Sequence, residues 1–253
     1  MDTAGRAARD KYFLLNRGHR FFRNGDWEKA VADFSEVLGL DPGFAIALSN
    51  RGVALIKLRK YEEALSDLDS AVLLEPEFAA GYNNRGLLYL ILGDYEKALD
   101  DFNKAVALNP KKSEIYHNRG RTHISKGEYH KALVDITKAI ELDPGNPNYH
   151  YTCGIVLDEL SRYDESAQYY STVIRLRPDF SEAYEKRGIA YNAMKRYEKA
   201  IQDFTRAVQL SPKQASAYYN RSLSYEKLGN NKLAIRDYNT AIKLNPGFFK
   251  HRY

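Results

Sequence analysis

The chain has 253 residues, 28% charged and 44% hydrophobic, a composition that suits a chain burying a substantial core and speaks against a disordered or fibrous polypeptide. A single cysteine, Cys153, leaves no internal disulfide framework, and no run approaches the roughly 20 apolar residues of a membrane span. The formal charge of +5 is unevenly placed: residues 1–180 carry 24 Lys+Arg against 27 Asp+Glu, and residues 181–253 carry 14 against 6. Such asymmetry steers partners without fixing a fold. The opening Met1-Asp-Thr-Ala-Gly-Arg6 lacks the apolar region of a secretory signal, so the expected location is cytoplasmic.

Seven prolines stand 34 residues apart: Pro42, Pro76, Pro110, Pro144, Pro178, Pro212 and Pro246. A fixed period of this size marks a repeat architecture, which overrides any domain count taken from length. Residues 1–10 form a short N-terminal extension, in which Ala7, Ala8 and Arg9 can prolong the first helix. The repeats then run 11–44, 45–78, 79–112, 113–146, 147–180, 181–214 and 215–248, and 249–253 is a short tail. Positions within a repeat are numbered from 1 to 34 below.

Each repeat predicts two helices. Helix A covers roughly positions 2–14 and carries apolar residues at helical spacing, as in Leu87, Leu88, Leu90 and Ile91. Gly25, Gly93, Gly127 and Gly229 at position 15 suit a tight turn that needs left-handed backbone. Asp26 and Asp94 follow as candidate N-caps. Helix B repeats Tyr-x-x-Ala-x-x-x-Phe-x-x-Ala, as at Tyr197, Ala200, Phe204 and Ala207, one face of a helix. The proline at position 32 cannot continue it. Small residues recur where two helices would approach: glycine at position 8 (Gly18, Gly52, Gly86, Gly120, Gly154, Gly188) and alanine at position 20. Large neighbours such as Tyr89 and Phe102 are expected to fill the space beside that contact as core.

The 34-residue period, Gly at 8, Tyr at 11, Ala at 20, Phe or Tyr at 24, Ala at 27 and Pro at 32 together resemble the tetratricopeptide repeat over residues 11–248. The resemblance implies an all-α fold, a right-handed superhelical solenoid of antiparallel helix pairs whose A helices line a concave groove. Ser166, Ser222 and Asn231 depart from the pattern and are expected to loosen packing locally.

Position 7 is arginine in six repeats (Arg17, Arg51, Arg85, Arg119, Arg187, Arg221) and position 23 is aspartate in the same six (Asp33, Asp67, Asp101, Asp135, Asp203, Asp237). Repeat five changes both together, to Cys153 and Tyr169. Joint loss points to a structural ion pair between helices A and B, within a repeat or across neighbours, rather than to an arginine row for nucleic acid.

Position 6 is asparagine in five repeats: Asn16, Asn50, Asn84, Asn118 and Asn220. Asparagine is a mediocre helix former, so its repetition inside a helix calls for a reason. In the tetratricopeptide repeat this position commonly faces the groove. A carboxamide there offers a donor and an acceptor to a peptide backbone, at about 0.5–1.5 kcal/mol net per hydrogen bond. Neighbouring groove positions are largely apolar in repeats one to three, with Leu15, Phe22, Ile46, Val53, Ile56, Leu87, Leu90 and Ile91. They turn polar with His117 and Arg121, then acidic with Asp158, Glu159, Glu182 and Glu185. The expected partner is a protein or peptide segment that is apolar and then basic. The carboxylate clamp of chaperone-binding relatives needs lysines and asparagines that no three consecutive repeats here supply.

His117, His123 and His130 do not share a face with ligand geometry, and no phosphate-binding glycine loop or nucleophile–base set is present, so no metal, cofactor or catalytic residue is expected. After Pro246 too few residues remain for another full repeat, and Tyr238, Ile242, Leu244, Phe248 and Phe249 are expected to be exposed, a route to self-association. The leading expectation is a non-catalytic adaptor or scaffold. The alternatives are a nucleic-acid-associated protein using the basic 181–253 face, and the regulatory or targeting region of a larger enzyme or assembly.

Overall fold

The computed structural model describes residues 3–249, with side chains over 10–247. Fourteen α-helices occur among the described residues: α1 (Thr3–Asn24), α2 (Trp27–Leu40), α3 (Ala45–Lys57), α4 (Tyr61–Leu74), α5 (Ala79–Leu92), α6 (Tyr95–Leu108) and α7 (Ser113–Ser125), then α8 (Tyr129–Leu142), α9 (Pro147–Glu159), α10 (Tyr163–Leu176), α11 (Ser181–Ala193), α12 (Tyr197–Leu210), α13 (Ala215–Lys227) and α14 (Asn231–Leu244). A 3-10 turn follows at Pro246–Phe249. The first helix starts at Thr3, so residues 3–10 extend helix A of repeat one backwards. The side chains of Phe248 and Phe249 lie outside the described residues.

The chain falls into two compact units, residues 1–126 and 127–253. In the first, α1 pairs with α2, α3 with α4 and α5 with α6; each pair stacks on the next, and α7 packs on α6 and α5. In the second, α8 lies against α9, and the pairs α9–α10, α11–α12 and α13–α14 stack in turn. Both are built from one motif, two antiparallel helices joined by a short turn. None of the described helices is long and apolar enough to cross a membrane.

The local chemistry explains the regularity. Each B helix ends two residues before its proline, and the residue between, such as Asn109, is extended, with φ between −126° and −147° in all seven repeats. That is the backbone a following proline imposes. Position 15 is left-handed throughout: Gly93 has φ 81°, and Arg59, Ser161 and Lys195 take the same place at 58–60° despite their side chains. Of the two expected N-caps, Asp94 accepts a hydrogen bond from the Lys97 backbone N–H, while Asp26 occupies its cap position without one.

Core packing follows the small-on-large expectation. A Cβ added at Gly86 would come within 2.9 Å of Phe102 Cε1, so the glycine admits the ring. Phe34, Leu68, Leu88 and Phe102 are fully buried in the first unit, and Ile136, Tyr170 and Phe204 in the second. Each such side chain contributes about 1.5–3 kcal/mol of burial. Ser222 stands where glycine is usual and Asn231 where an aromatic is usual, and a hollow of about 360 Å³ opens between them, bordered by Leu223, Ala234, Ile235 and Tyr238.

Candidate functional site

The helix-A faces are held by the arginines of position 7. Arg17, Arg51, Arg85, Arg187 and Arg221 each grip the aspartate sixteen residues on with two hydrogen bonds, from Nε and Nη2 to the two carboxylate oxygens; for Arg85 and Asp101 these are 2.8 and 2.7 Å. The aspartates are buried, and Asp203 is 6% exposed. The pair lies within the repeat, A helix to B helix.

The third nitrogen, Nη1, does something the sequence did not suggest. It reaches back to position 25 of the preceding repeat: Arg51 to Ser35 at 3.0 Å, Arg85 to Asp69 at 2.8 Å, Arg119 to Asn103 at 2.8 Å, Arg187 to Ser171 at 2.9 Å and Arg221 to Thr205 at 3.0 Å. One guanidinium thus ties three helices. Its planar fork is suited to such multiple donation. Tyrosines at positions 4 and 11 flank it, with Arg85 5.7 Å from the Tyr82 ring and 5.9 Å from Tyr89. Arginines so engaged are not offered to phosphates.

Repeat five substitutes a different solution. Cys153 is fully buried, and burial pushes its thiol up to about 12; Tyr169 beside it is raised to about 12, chiefly by burial and then by Cys153. A second recurring tie was also missed: Tyr116 and Tyr184 at position 4 donate to the carbonyls of Pro110 and Pro178, at 3.2 and 3.3 Å. His150 makes the same bond to Pro144 at 2.9 Å.

The position-6 asparagines form a network with the repeat before them. In the first unit, Asn84 Nδ2 donates to Ser49 Oγ at 2.9 Å and Asn118 Nδ2 to Asn83 Oδ1 at 3.0 Å. Asn83 Nδ2 lies 3.4 Å from Asn84 Oδ1. Asn50 Nδ2 sits 2.7 Å from His19 Nε2, and burial holds that imidazole below its usual range. In the second unit Asn220 donates to Glu185 Oε1 at 3.4 Å, and Gln214 donates to Glu185 Oε2 in a short hydrogen bond. Asn16 is exposed, Asn50, Asn84 and Asn220 are half-buried, and Asn118 is only 4% exposed, a strut more than a surface.

The expected apolar lining is divided between surface and core. Leu15 is buried at 8% exposure; Phe22, Val53, Ile56, Leu87 and Leu90 are half-buried, and Ile91 is 52% exposed. Phe22 meets Trp27 edge-on at 4.9 Å. Ile56 packs against the cluster of Leu55, Ala64, Leu68 and Leu88, and Leu87 and Leu90 against the cluster of Ala98, Phe102, Ala105 and Ile115. His117, next along this face, is held down to about 4 by burial and then by Arg121.

In the second unit Glu159 and Glu182 are exposed, and Glu185 is buried at 9% exposure. Asp158 accepts from the Tyr170 hydroxyl at 2.7 Å through Oδ2, while its Oδ1 is buried without a partner. Burial raises its carboxyl above the ordinary range. Tyr151 lies among these groups and is raised to about 12, first by burial, then by Glu182, Glu185 and Asp158. Asp158, Glu182 and Glu185 thus lie near enough to Tyr151 to oppose its ionisation, and Glu159 is exposed. Among the described residues no group of three His, Cys, Asp or Glu side chains could hold a metal ion.

Stacked helix pairs with one recurring contact set define a helical-repeat protein. Tetratricopeptide repeat models match residues 79–112, 113–146 and 215–248 and residues 15–72, and a TPR repeat model matches 190–229. The chain belongs to the tetratricopeptide repeat family. Among solved structures it is similar to a tetratricopeptide repeat protein from Parabacteroides merdae, 24% identical over 94% of each chain with a TM-score of 0.65. It is also similar to Pseudomonas aeruginosa pilF, 18% identical over 88% of this chain and 98% of that one, with a TM-score of 0.73. YrrB, described as a TPR protein with an unusual peptide-binding site, is 23% identical over 77% of this chain and 97% of its own, with a TM-score of 0.62. These likenesses establish the fold. Among curated proteins none matches the sequence.

Proposed function

We propose that this chain is a non-catalytic protein-interaction module that holds extended segments of a partner protein against the helix-A faces of its two units. The observation that carries the reading is the set of part-exposed position-6 carboxamides, Asn50, Asn84 and Asn220, each tethered by a neighbouring repeat. Tethered carboxamides suit a main chain, whose N–H and C=O recur in every residue. Each hydrogen bond contributes about 0.5–1.5 kcal/mol, so affinity rests on several together and on side-chain contacts.

The surroundings of the carboxamides supply the preference. In the first unit Val53, Leu90 and Ile91 give apolar contact beside Asn50 and Asn84, which favours apolar side chains. In the second unit the exposed Glu159 and Glu182, with the half-buried Asp158, add negative charge to the A helices, which favours Lys or Arg. The description of YrrB as a peptide-binding TPR protein supports a peptide role for this architecture.

An array of immobilised peptides tests the reading. Segments with an apolar stretch followed by basic residues should capture the protein, and an Asn50→Ala/Asn84→Ala double variant should be captured at least about fivefold less, the loss of two such hydrogen bonds. Equal capture of charge-reversed peptides, or no effect of the double variant, would refute it.

A further inference from the structure

The carboxamides of position 6 are not free rotors. Asn84 donates to Ser49 at 2.9 Å, Asn118 to Asn83 at 3.0 Å and Asn220 to Glu185 at 3.4 Å, each across an offset of thirty-five residues. The acceptor is in every case position 5 of the preceding repeat. The tetratricopeptide resemblance places that position on the groove, yet Ser49 is 1% exposed, Asn83 6% and Glu185 9%. Side chains so enclosed cannot themselves present much surface to a partner.

We infer that Ser49 and Glu185 are positioning residues, which fix the plane of the following repeat's asparagine so that its remaining polar atoms meet a bound main chain at a set angle. The inference rests on the binding role proposed above. An asparagine amide turns broadly about its terminal torsion, because that torsion has no sharp staggered wells. One hydrogen bond to a fixed acceptor removes that freedom before a ligand arrives, and ordering in advance lowers the cost of binding. With one N–H tied back and Oδ1 facing Asn83 Nδ2 at 3.4 Å, Asn84 presents the second N–H and the remaining lone pair of Oδ1. Asn118, itself buried, braces Asn83, so repeats two to four form one linked run from Ser49 to Asn118.

Repeat five interrupts the pattern. Thr152 turns its hydroxyl back to the Asn148 carbonyl of its own helix at 2.9 Å, and position 6 of repeat six is Lys186. The next such rung is Asn220 on Glu185, in the second unit. The positioning residues share no residue type, only an acceptor atom.

The test uses Ser49→Ala, which deletes one acceptor with almost no change of volume. Asn84 is half-buried, so water can replace the lost partner and the fold should persist with a melting temperature within about 2 °C of wild type. Two readouts are taken: hydrogen exchange of the Asn84 side-chain NH₂ by NMR, and affinity for a fluorescein-labelled synthetic peptide of alternating Leu and Ser followed by a run of Lys. Ser49→Ala should speed exchange and weaken the peptide roughly two- to tenfold, the worth of one hydrogen bond. Glu185→Gln, which keeps an acceptor, should retain affinity within about twofold, while Glu185→Ala should lose as much as Ser49→Ala. Unchanged Asn84 exchange in Ser49→Ala overturns the inference whether or not the peptide binds. Equal peptide affinity in wild type, Ser49→Ala and Glu185→Ala also overturns it. Absence of binding to the wild-type protein counts instead against the proposed binding role, and the exchange measurement still decides the positioning.

Discussion

Replacing Arg187 by Met removes one guanidinium that ties three helices. Asp203, 6% exposed, loses hydrogen bonds of 2.7 and 2.7 Å, and Ser171 loses a donor at 2.9 Å. Deleting one partner of a buried ion pair costs about 3–5 kcal/mol, because the remaining charge keeps its desolvation penalty. The Arg187 side chain is 19% exposed, so some water reaches the pair and the lower end, about 3 kcal/mol, is expected. In a chain of this length that lowers the melting temperature by roughly 6–12 °C. Urea denaturation followed by circular dichroism reads the free energy directly. A decisive companion is Arg187→Cys/Asp203→Tyr, which transplants the pair that repeat five carries as Cys153 and Tyr169. With both charges gone no uncompensated carboxylate remains, and the double variant should be more stable than Arg187→Cys alone by at least about 1 kcal/mol. Recovery is incomplete because the new tyrosine would meet Tyr184, where repeat five has His150. A loss under about 0.5 kcal/mol in Arg187→Met, or a double variant as unstable as Arg187→Cys, would refute the reasoning.

Gly154→Ala should destabilise by about 1–3 kcal/mol even though alanine favours helix, since the new Cβ would lie 2.5 Å from Tyr170 Cε1 and the ring is anchored by its hydroxyl on Asp158; thermal denaturation checks it. Asp158→Asn should stabilise the protein at neutral pH. Burial raises the folded-state carboxyl above its unfolded value, so the folded chain holds the proton longer, and stability falls as pH rises through that range; the gain in Asp158→Asn should vanish at pH values below the ordinary carboxylate range. Cys153, fully buried with its thiol raised to about 12, should resist an aromatic disulfide reagent in the folded protein and react promptly in denaturant; fast reaction without denaturant would contradict its placement.

Much of the fold was legible in the sequence because its causes are local. Proline at position 32 and the left-handed residue at position 15 terminate helices wherever they stand, and glycine at position 8 beside an aromatic at position 24 leaves one way to pack. The joint change at Cys153 and Tyr169 pointed to the Arg–Asp pair correctly. The acceptors at position 25 were hidden because Ser35, Asp69, Asn103, Ser171 and Thr205 share only an oxygen, and no residue-type pattern reports that. The binding face was harder for a related reason. The tetratricopeptide resemblance put position 5 on the groove side, but the helix of the next repeat encloses it, so Leu15 and Glu185 are buried where exposure was expected. Asn118 and Asn84 are the same residue at the same position, yet Asn118 is buried against Asn83 and Asn84 is half-buried on Ser49, a difference the residue type does not report.

The central claim is that partners lie on the helix-A faces. A photo-crosslinking residue at Val53, on that face, compared with one at Val134, 71% exposed on a B helix, tests it most directly when both proteins are mixed with a synthetic apolar-then-basic peptide. Crosslinking from Val53 that falls when Asn84 is replaced by Ala, with none from Val134, is the predicted result. Equal crosslinking from both positions, or crosslinking from Val134 alone, would contradict the account.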